Sequence, residues 1–86
     1  MQRRLFIDVR EPEEFAADHV DGAINVPPHD LMRGAPQLHD IPHDAELVLY
    51  CKSGARSNAA MSYFRQLGFE NLTNGINKDH IRAKYF

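Results

Sequence analysis

A single cysteine, Cys51, stands where an apolar run ends and a short loop begins, and the loop carries Lys52, Ser53, Gly54, Ala55, Arg56 and Ser57. A thiol is a nucleophile only as its thiolate, and helix N-termini and nearby cations lower its pKa. Lys52 and Arg56 bring positive charge to the loop. Gly54 can take backbone angles closed to other residues, and the Ser53 and Ser57 hydroxyls can donate hydrogen bonds or cap a helix. The residue types and their order predict a cradle for an anionic sulfur. A buried structural cysteine is the bland alternative, since free cysteine is among the most buried residue types. That reading suits a thiol inside an apolar run; this one ends its run and is followed at once by Lys, Ser, Gly and Arg.

Such a cradle needs a strand to deliver the thiol and a helix to aim backbone N–H groups at it. Leu47-Val48-Leu49-Tyr50 reads as a buried parallel strand, and the stretch from Ser57 to Leu67 carries Ala60, Phe64 and Leu67 at helical spacing. In open α/β sheets, ligands bind at the carboxyl ends of strands, where loops lead into helix N-termini. Leu5 to Val9 reads as a second buried strand, and it puts Asp8 and Arg10 at the same end of the sheet as Cys51. Asp8 is expected to pair with Arg56 or Lys52 and brace the loop. Arg10 is expected either to add positive potential or to pair with Glu13 or Glu14.

The remaining elements follow from punctuation and periodicity. Glu11 to Ala17 predicts a short helix with Pro12 at its first position and acidic residues at the positive end of its dipole. Phe15 is expected to anchor it to the sheet. His19 to Gly22 turns the chain, with His19 read as a structural hydrogen-bonding residue, and Ala23 to Val26 forms a short strand stopped by Pro27-Pro28. Residues 29–45 predict a short irregular helix and a polar connection. Gly68 is placed to end the long helix in a left-handed conformation. Phe69 to Thr73 reads as a last strand, Asn74-Gly75 as a turn, and Asn77 to Phe86 as a final helix packing Ile81, Tyr85 and Phe86. Three or four strands alternating with helices predict an α/β fold with a parallel sheet covered on both faces.

Composition narrows the function. The 86 residues predict one domain, 1–86, burying about 60 to 65% of its unfolded surface. An apolar content of 43% and a charged content of 26% are those of a globular chain, which argues against disorder. The net charge of -2 and the scatter of Arg3, Arg4, Arg10, Lys52, Arg56 and Lys84 leave no basic footprint for nucleic acid. One cysteine excludes an intramolecular disulfide, and no signal-peptide core or membrane span can be drawn. The expected compartment is therefore the cytoplasm, or the periplasm if the chain is a processed mature form. His39 and His43 are four apart, but Pro42 between them argues against a helix presenting both to a metal. No metal and no cofactor are expected.

Several segments then fall into a familiar order. Asp8-Val9-Arg10-Glu11-Pro12-Glu13-Glu14-Phe15, His19 to Pro27, Tyr50-Cys51-Lys52-Ser53-Gly54-Ala55-Arg56-Ser57, and Leu67-Gly68-Phe69 with Leu72 and Asn74-Gly75 together make a chain that resembles a single-domain rhodanese over nearly its whole length. It is most similar to the compact bacterial thiosulfate sulfurtransferases of the phage-shock type. The resemblance implies a rhodanese-like three-layer α/β/α domain with a small central parallel sheet flanked by short helices. It also implies a ping-pong reaction: Cys51 attacks the outer sulfur of thiosulfate, sulfite leaves, and the persulfide passes its terminal sulfur to cyanide, a small thiol or a thioredoxin-like acceptor.

By the same resemblance, the backbone amides from Cys51 to Ser57 would stabilise the persulfide, Lys52 and Arg56 would contact the sulfonate, and Asp8 and Arg10 would support the loop. The chain departs from the family pattern where it lacks the helix and short strand that many relatives place before the Asp8 segment, and where it has no Trp. Asn74-Gly75-Ile76 stands where a Gly-Gly pair is common, and Asp18 and Asp21 where Gly and Pro are frequent. A phosphatase or arsenate reductase loop of the form His-Cys-x5-Arg does not fit, because Arg56 comes one position early and Tyr50 replaces the His. A persulfide carrier or regulatory module loaded by a partner protein is the alternative that the sequence leaves open, together with the oligomeric state.

Overall fold

In a computed structural model that describes residues 3–86, the apolar runs of the sequence pair side by side as a four-stranded parallel sheet. Met1 and Gln2, on which the reading of the chain's start rests, lie outside the described residues. The strands are β1 (Arg4–Asp8), β2 (Ile24–Asn25), β3 (Glu46–Tyr50) and β4 (Leu72–Ile76), in the spatial order β2-β1-β3-β4. Parallel neighbours need crossover connections. These are supplied by α1 (Pro12–Ala17), by α2 (Pro28–Met32) with a 3-10 turn at Pro36–Leu38, and by α3 (Ala55–Gln66); α4 (Lys78–Tyr85) closes the chain.

The period of two along each strand splits the core into two layers. Ile7, Leu47 and Leu49 pack with Leu31, Ala60 and Phe64 from α2 and α3. Phe6, Val48 and Tyr50 pack with Val20, Ile81 and Tyr85 on the opposite face. The central strand β3 is therefore covered on both sides, and Leu47, Val48, Leu49 and Tyr50 are all fully buried. This is why its sequence is a continuous apolar run instead of an alternation. It also means that Asp8 and Cys51, which end adjacent strands, leave the sheet on opposite faces.

Four expectations are corrected by the packing. Asn74 and Gly75 lie inside β4 and form no turn, and the strand runs over Leu72–Ile76 instead of Phe69 to Thr73. The Asn-Gly turn signal is overridden because Gly75 is the point where α4 meets the sheet: a Cβ there would stand 2.8 Å from both Ile81 Cδ1 and Val48 Cγ1. The ladder slips by one residue beside it, so that Tyr50 pairs with Ile76. The long helix begins at Ala55 instead of Ser57, with Gly54 at its cap, because the Gly54 carbonyl already accepts the first helical bond, from the Asn58 N–H at 2.9 Å. Phe15 is only half-buried and stacks on the His19 ring at 3.8 Å in place of anchoring in the sheet, while the His19 Nδ1 lies 2.8 Å from the Phe15 carbonyl oxygen. Phe86 stays 65% exposed, although its ring reaches within 5.5 Å of Phe6.

Other expectations hold. Pro12 occupies the first turn of α1, and the Glu14 carboxylate accepts a bond from the Glu11 N–H at 3.0 Å. Gly68 follows α3 with a φ of 102°. Ile81 is fully buried. Among the described residues no helix is long and apolar enough to cross a membrane.

Filling the space at Gly75 tests this account of the β4 register. Gly75→Ala is expected to destabilise the fold by about 1 to 3 kcal/mol through overpacking against Ile81 and Val48, read as a lower urea midpoint with an unchanged slope.

Candidate active site

The thiol is delivered by the first residue beyond β3, whose backbone is still tied to the sheet: the Cys51 N–H donates to the Ile76 carbonyl at 3.1 Å. From there the chain curls back over the sulfur. The Gly54 N–H donates to Sγ at 3.1 Å and the Ser57 N–H at 3.4 Å, and the Ser57 Oγ lies 3.5 Å away. The turn that aims these groups needs a φ of 92° at Gly54, a left-handed angle that glycine adopts without steric cost. A Cβ at that position would also stand 3.3 Å from Ile76 Cγ2. Cys51, Gly54 and Ser57 are buried, whereas Lys52, Ser53, Ala55 and Arg56 are exposed.

Two opposed effects set the thiol's acidity. Burial pushes it up, and it is outweighed by the donors around the sulfur, namely the Ser57 hydroxyl and the backbone N–H groups of Ser57, Ser53 and Gly54. The result is a pKa lowered from 9.0 to about 7. The hydroxyl's share is conditional. Ser57 has one proton, and its Oγ also lies 2.7 Å from Asn74 Oδ1 and 3.2 Å from the Gly54 carbonyl. The backbone donors are the permanent ones. The cradle is thus built from peptide groups at the start of α3, where the helix dipole adds to them.

Asn74 is the functional residue that sequence reading missed. Its Nδ2 donates to the Gly54 carbonyl at 3.0 Å, and its Oδ1 accepts from the Ile76 N–H at 3.0 Å and from Ser57. One side chain therefore ties the loop to β4. The signal available in the sequence was a polar residue inside a strand-forming stretch, and it was masked by the Gly that follows. Ile76 carries a φ of 72°, costly for a β-branched residue, and both of its backbone polar groups are used, one toward Asn74 and one toward Cys51.

The charged residues come together in pairs other than those expected. Asp8 bonds neither Arg56 nor Lys52. Arg10 takes it instead, with Nη2 at 2.7 Å from Oδ2, Nε at 3.0 and 3.1 Å from the two oxygens, and the Arg10 N–H at 2.9 Å. The reason is geometric: Asp8 leaves β1 on the face opposite Cys51, and Arg10 is the cation two residues on. Arg10 also donates to the Asp18 carbonyl at 2.7 Å. Asp8 raises the Arg10 pKa further by hydrogen bonding. Beside them, burial pushes the Tyr50 phenol well above its ordinary value, and its oxygen accepts the Val20 N–H at 3.1 Å.

Glu14, considered as a partner for Arg10, belongs to Arg56, whose two terminal nitrogens meet its two oxygens at 2.8 and 3.0 Å. Arg56 and the Glu11 N–H hold Glu14 down from 4.5 to about 2. A group so depressed stabilises the fold fully above its ordinary pKa of 4.5, and that contribution is lost as the pH falls toward about 2. Arg56 is therefore a neutralised strut between α1 and α3. Lys52 makes no ion pair among the described residues.

Two cavities flank this strut. A polar cleft of about 400 Å³ opens over Cys51 and is bordered by Lys52, Arg10, Glu14, Asp18 and Lys78. An apolar groove of about 210 Å³ lies between α2 and α3, lined by Val9, Leu31, Met32, Ala60 and Tyr63, with Arg56 at its edge. Arg56 thus borders the groove, and Lys52 the cleft. His43 packs edge-on against Phe69, and among the described residues no three His, Cys, Asp or Glu side chains gather as metal ligands.

Comparison with known proteins shows the family and the fold. The family model described as Rhodanese-like domain matches residues 1–79. A protein named sulfurtransferase from Allochromatium vinosum is 36% identical over 70 residues, which cover 81% of this chain and 63% of that protein. A probable adenylyltransferase/sulfurtransferase, MoeZ, of Mycobacterium tuberculosis is 40% identical over 70 residues, 81% of this chain and 18% of that protein. The chain therefore spans less than two thirds of the length of these curated relatives. Among solved structures, one described as rhodanese with anions from E. coli superposes with a TM-score of 0.77 at 27% identity, covering 91% of each chain.

The site makes two measurable claims. The rate of Cys51 alkylation by iodoacetamide is expected to rise with pH through a midpoint at about 7, as the thiolate forms, and to fall tenfold per unit well below it. Asn74→Ala is expected to cost about 1 to 3 kcal/mol in chemical denaturation, because it leaves the Ile76 N–H without its partner and unties the loop from β4, although the Gly54 carbonyl keeps the Asn58 N–H.

Proposed function

The chain belongs to the rhodanese-like domain family, and from that premise we propose that it is a thiosulfate sulfurtransferase working through a persulfide on Cys51. The Cys51 thiolate attacks the outer sulfur of thiosulfate. The new Sγ–S bond forms as the S–S bond of thiosulfate breaks, and sulfite leaves with the electron pair. Cyanide or a thiolate then attacks the terminal sulfur of the persulfide, and Cys51 is released as thiolate. Dividing the transfer in this way replaces one difficult step by two easier ones.

The observation that carries the reading is the convergence of the Gly54 and Ser57 N–H groups on a buried sulfur at 3.1 and 3.4 Å. Preorganised donors of this kind stabilise negative charge as it moves between the sulfurs without rearranging during the reaction. Lys52, exposed at the rim and without an ion pair among the described residues, meets the sulfonate of the donor. Ser53 and Ala55 shape the loop, and Arg56 keeps it tied to α1 through Glu14 instead of touching the donor. Asp8 and Arg10 hold the wall of the cleft. The acceptor is cyanide, a small thiol or a thioredoxin-like protein. A lone reactive thiol stays free in a reducing compartment, and the cytoplasm is the location that goes with this reading.

A persulfide relay loaded by a partner protein is the second reading. It is favoured by the probable adenylyltransferase/sulfurtransferase relative, of which the matching stretch is only 18%. Intact mass after exposure to thiosulfate alone separates the two: the enzyme gains about 32 Da, one sulfur atom, and releases sulfite. Cys51→Ala is expected to lose the adduct and all thiocyanate formation from cyanide. A folded wild type that gains no mass from thiosulfate, yet is sulfurated by a persulfide-donating protein, would establish the relay in place of the enzyme.

A further inference from the structure

The polar cleft that Lys52 borders carries a second lysine, contributed by a distant part of the chain. Lys78 is the first residue of α4 and borders the same cleft as Cys51 and Lys52. Its Nζ donates to Asp18 Oδ2 at 2.8 Å. What separates it from the other cations is the state of the carboxylate it bonds. Asp18 has a second partner, Arg82, whose terminal nitrogens lie 3.2 Å from Oδ1 and 3.4 Å from Oδ2. Lys78 can therefore turn away from Asp18 without leaving that carboxylate unpaired.

Neither arginine near the thiol has this freedom. Arg10 bonds both oxygens of Asp8, which is fully buried, and withdrawing it strands a buried charge. Arg56 holds both oxygens of Glu14, and among the described residues no other side-chain cation bonds that carboxylate. The cleft also carries Glu14, Asp18 and Asp79, so its charge is balanced until an anion enters. The flexible four-carbon stem of lysine suits an exchange of partners better than a bidentate guanidinium does.

We propose that Lys78 is a specificity-determining residue of the Cys51 cleft, which trades Asp18 for the negative group of an incoming sulfur donor and holds it jointly with Lys52. Arg82 is the residue that makes the exchange possible, by keeping Asp18 paired throughout. The assignment rests on the sulfurtransferase reading for the identity of the donor, an oxyanion with a transferable sulfur. The contact itself, a cation presented to any small anion that reaches Cys51, does not depend on that reading.

Two alkylating agents of nearly equal size test the contact directly, because both lose iodide to the Cys51 thiolate but only iodoacetate is an anion. The ratio of the iodoacetate rate to the iodoacetamide rate is measured above the thiol's midpoint and at low salt. Lys78→Gln is expected to lower this ratio about threefold, the scale of one charge acting across a solvated cleft. The iodoacetamide rate should not change, Lys78→Arg should restore the ratio, and added salt should shrink the difference. In the sulfur-transfer assay the same variant should raise the KM for thiosulfate with little change in kcat. An unchanged ratio overturns the role of Lys78, whatever the thiosulfate kinetics. An equal loss of both alkylation rates overturns it as well, by showing a distorted loop. A lowered ratio in a protein that never turns over thiosulfate keeps Lys78 as the anion contact and removes thiosulfate as the donor.

Discussion

A sulfur anion removed from water has to be solvated by the protein, and in this fold the solvent is the peptide backbone at the start of α3. Burial works against the Cys51 thiolate, and the N–H groups of Ser57, Ser53 and Gly54, with the Ser57 hydroxyl, reverse the outcome. Much of the surrounding structure exists to keep those groups aimed at one point. The positive φ of Gly54 turns the loop, the Ile76 carbonyl fixes the Cys51 backbone, and Asn74 clamps the Gly54 carbonyl. Because peptide dipoles need no counter-ion and no rearrangement, the site can hold charge on one sulfur and then on the next atom outward.

Around this centre the charged residues act in three different ways, decided by burial and by how many cations share each carboxylate. Asp8 and Arg10 form a buried pair whose value lies in both partners being present, since either alone would be an uncompensated charge. Glu14 and Arg56 form an exposed two-bond strut, modest in energy but geometrically specific, which fastens α1 to α3. Asp18 joins Lys78 and Arg82 at the surface, where exchange of partners is cheap. Burial sets the first pair apart from the other two, and of the third group Asp18 and Lys78 border the cleft.

The two cavities extend this division of labour. The cleft over Cys51 is polar and balanced in charge, and the groove between α2 and α3 is almost entirely apolar, with Met32 and Tyr63 exposed along it. The Glu14–Arg56 strut is the ridge between them. The first presents three cations and three carboxylates, and the second presents apolar side chains with Arg56 at its edge. The loop that carries Cys51 therefore lies between a charged surface on the side of Lys52 and an oily one on the side of Arg56.

What the amino-acid sequence settled by itself was local, at the places where no distant contact competed. The buried run before Cys51, Pro12 in the first turn of α1, Gly68 after α3 and the donor-rich loop at residues 52–57 are each written in a few consecutive residues, because strand burial, helix starts and left-handed turns are decided by neighbours. Tertiary structure alone decided which charges meet. Asp8 chose Arg10 over Arg56 because adjacent strands send Asp8 and Cys51 to opposite faces, a fact of sheet geometry that no spacing expresses. Asn74-Gly75, locally a turn, became part of β4 because α4 packs where Gly75 lacks a side chain, and that move put Asn74 beside the loop. Lys78 reached the cleft for the same reason. Contacts between residues far apart in the chain depend on the register and crossing of whole elements, which become definite only when the core closes.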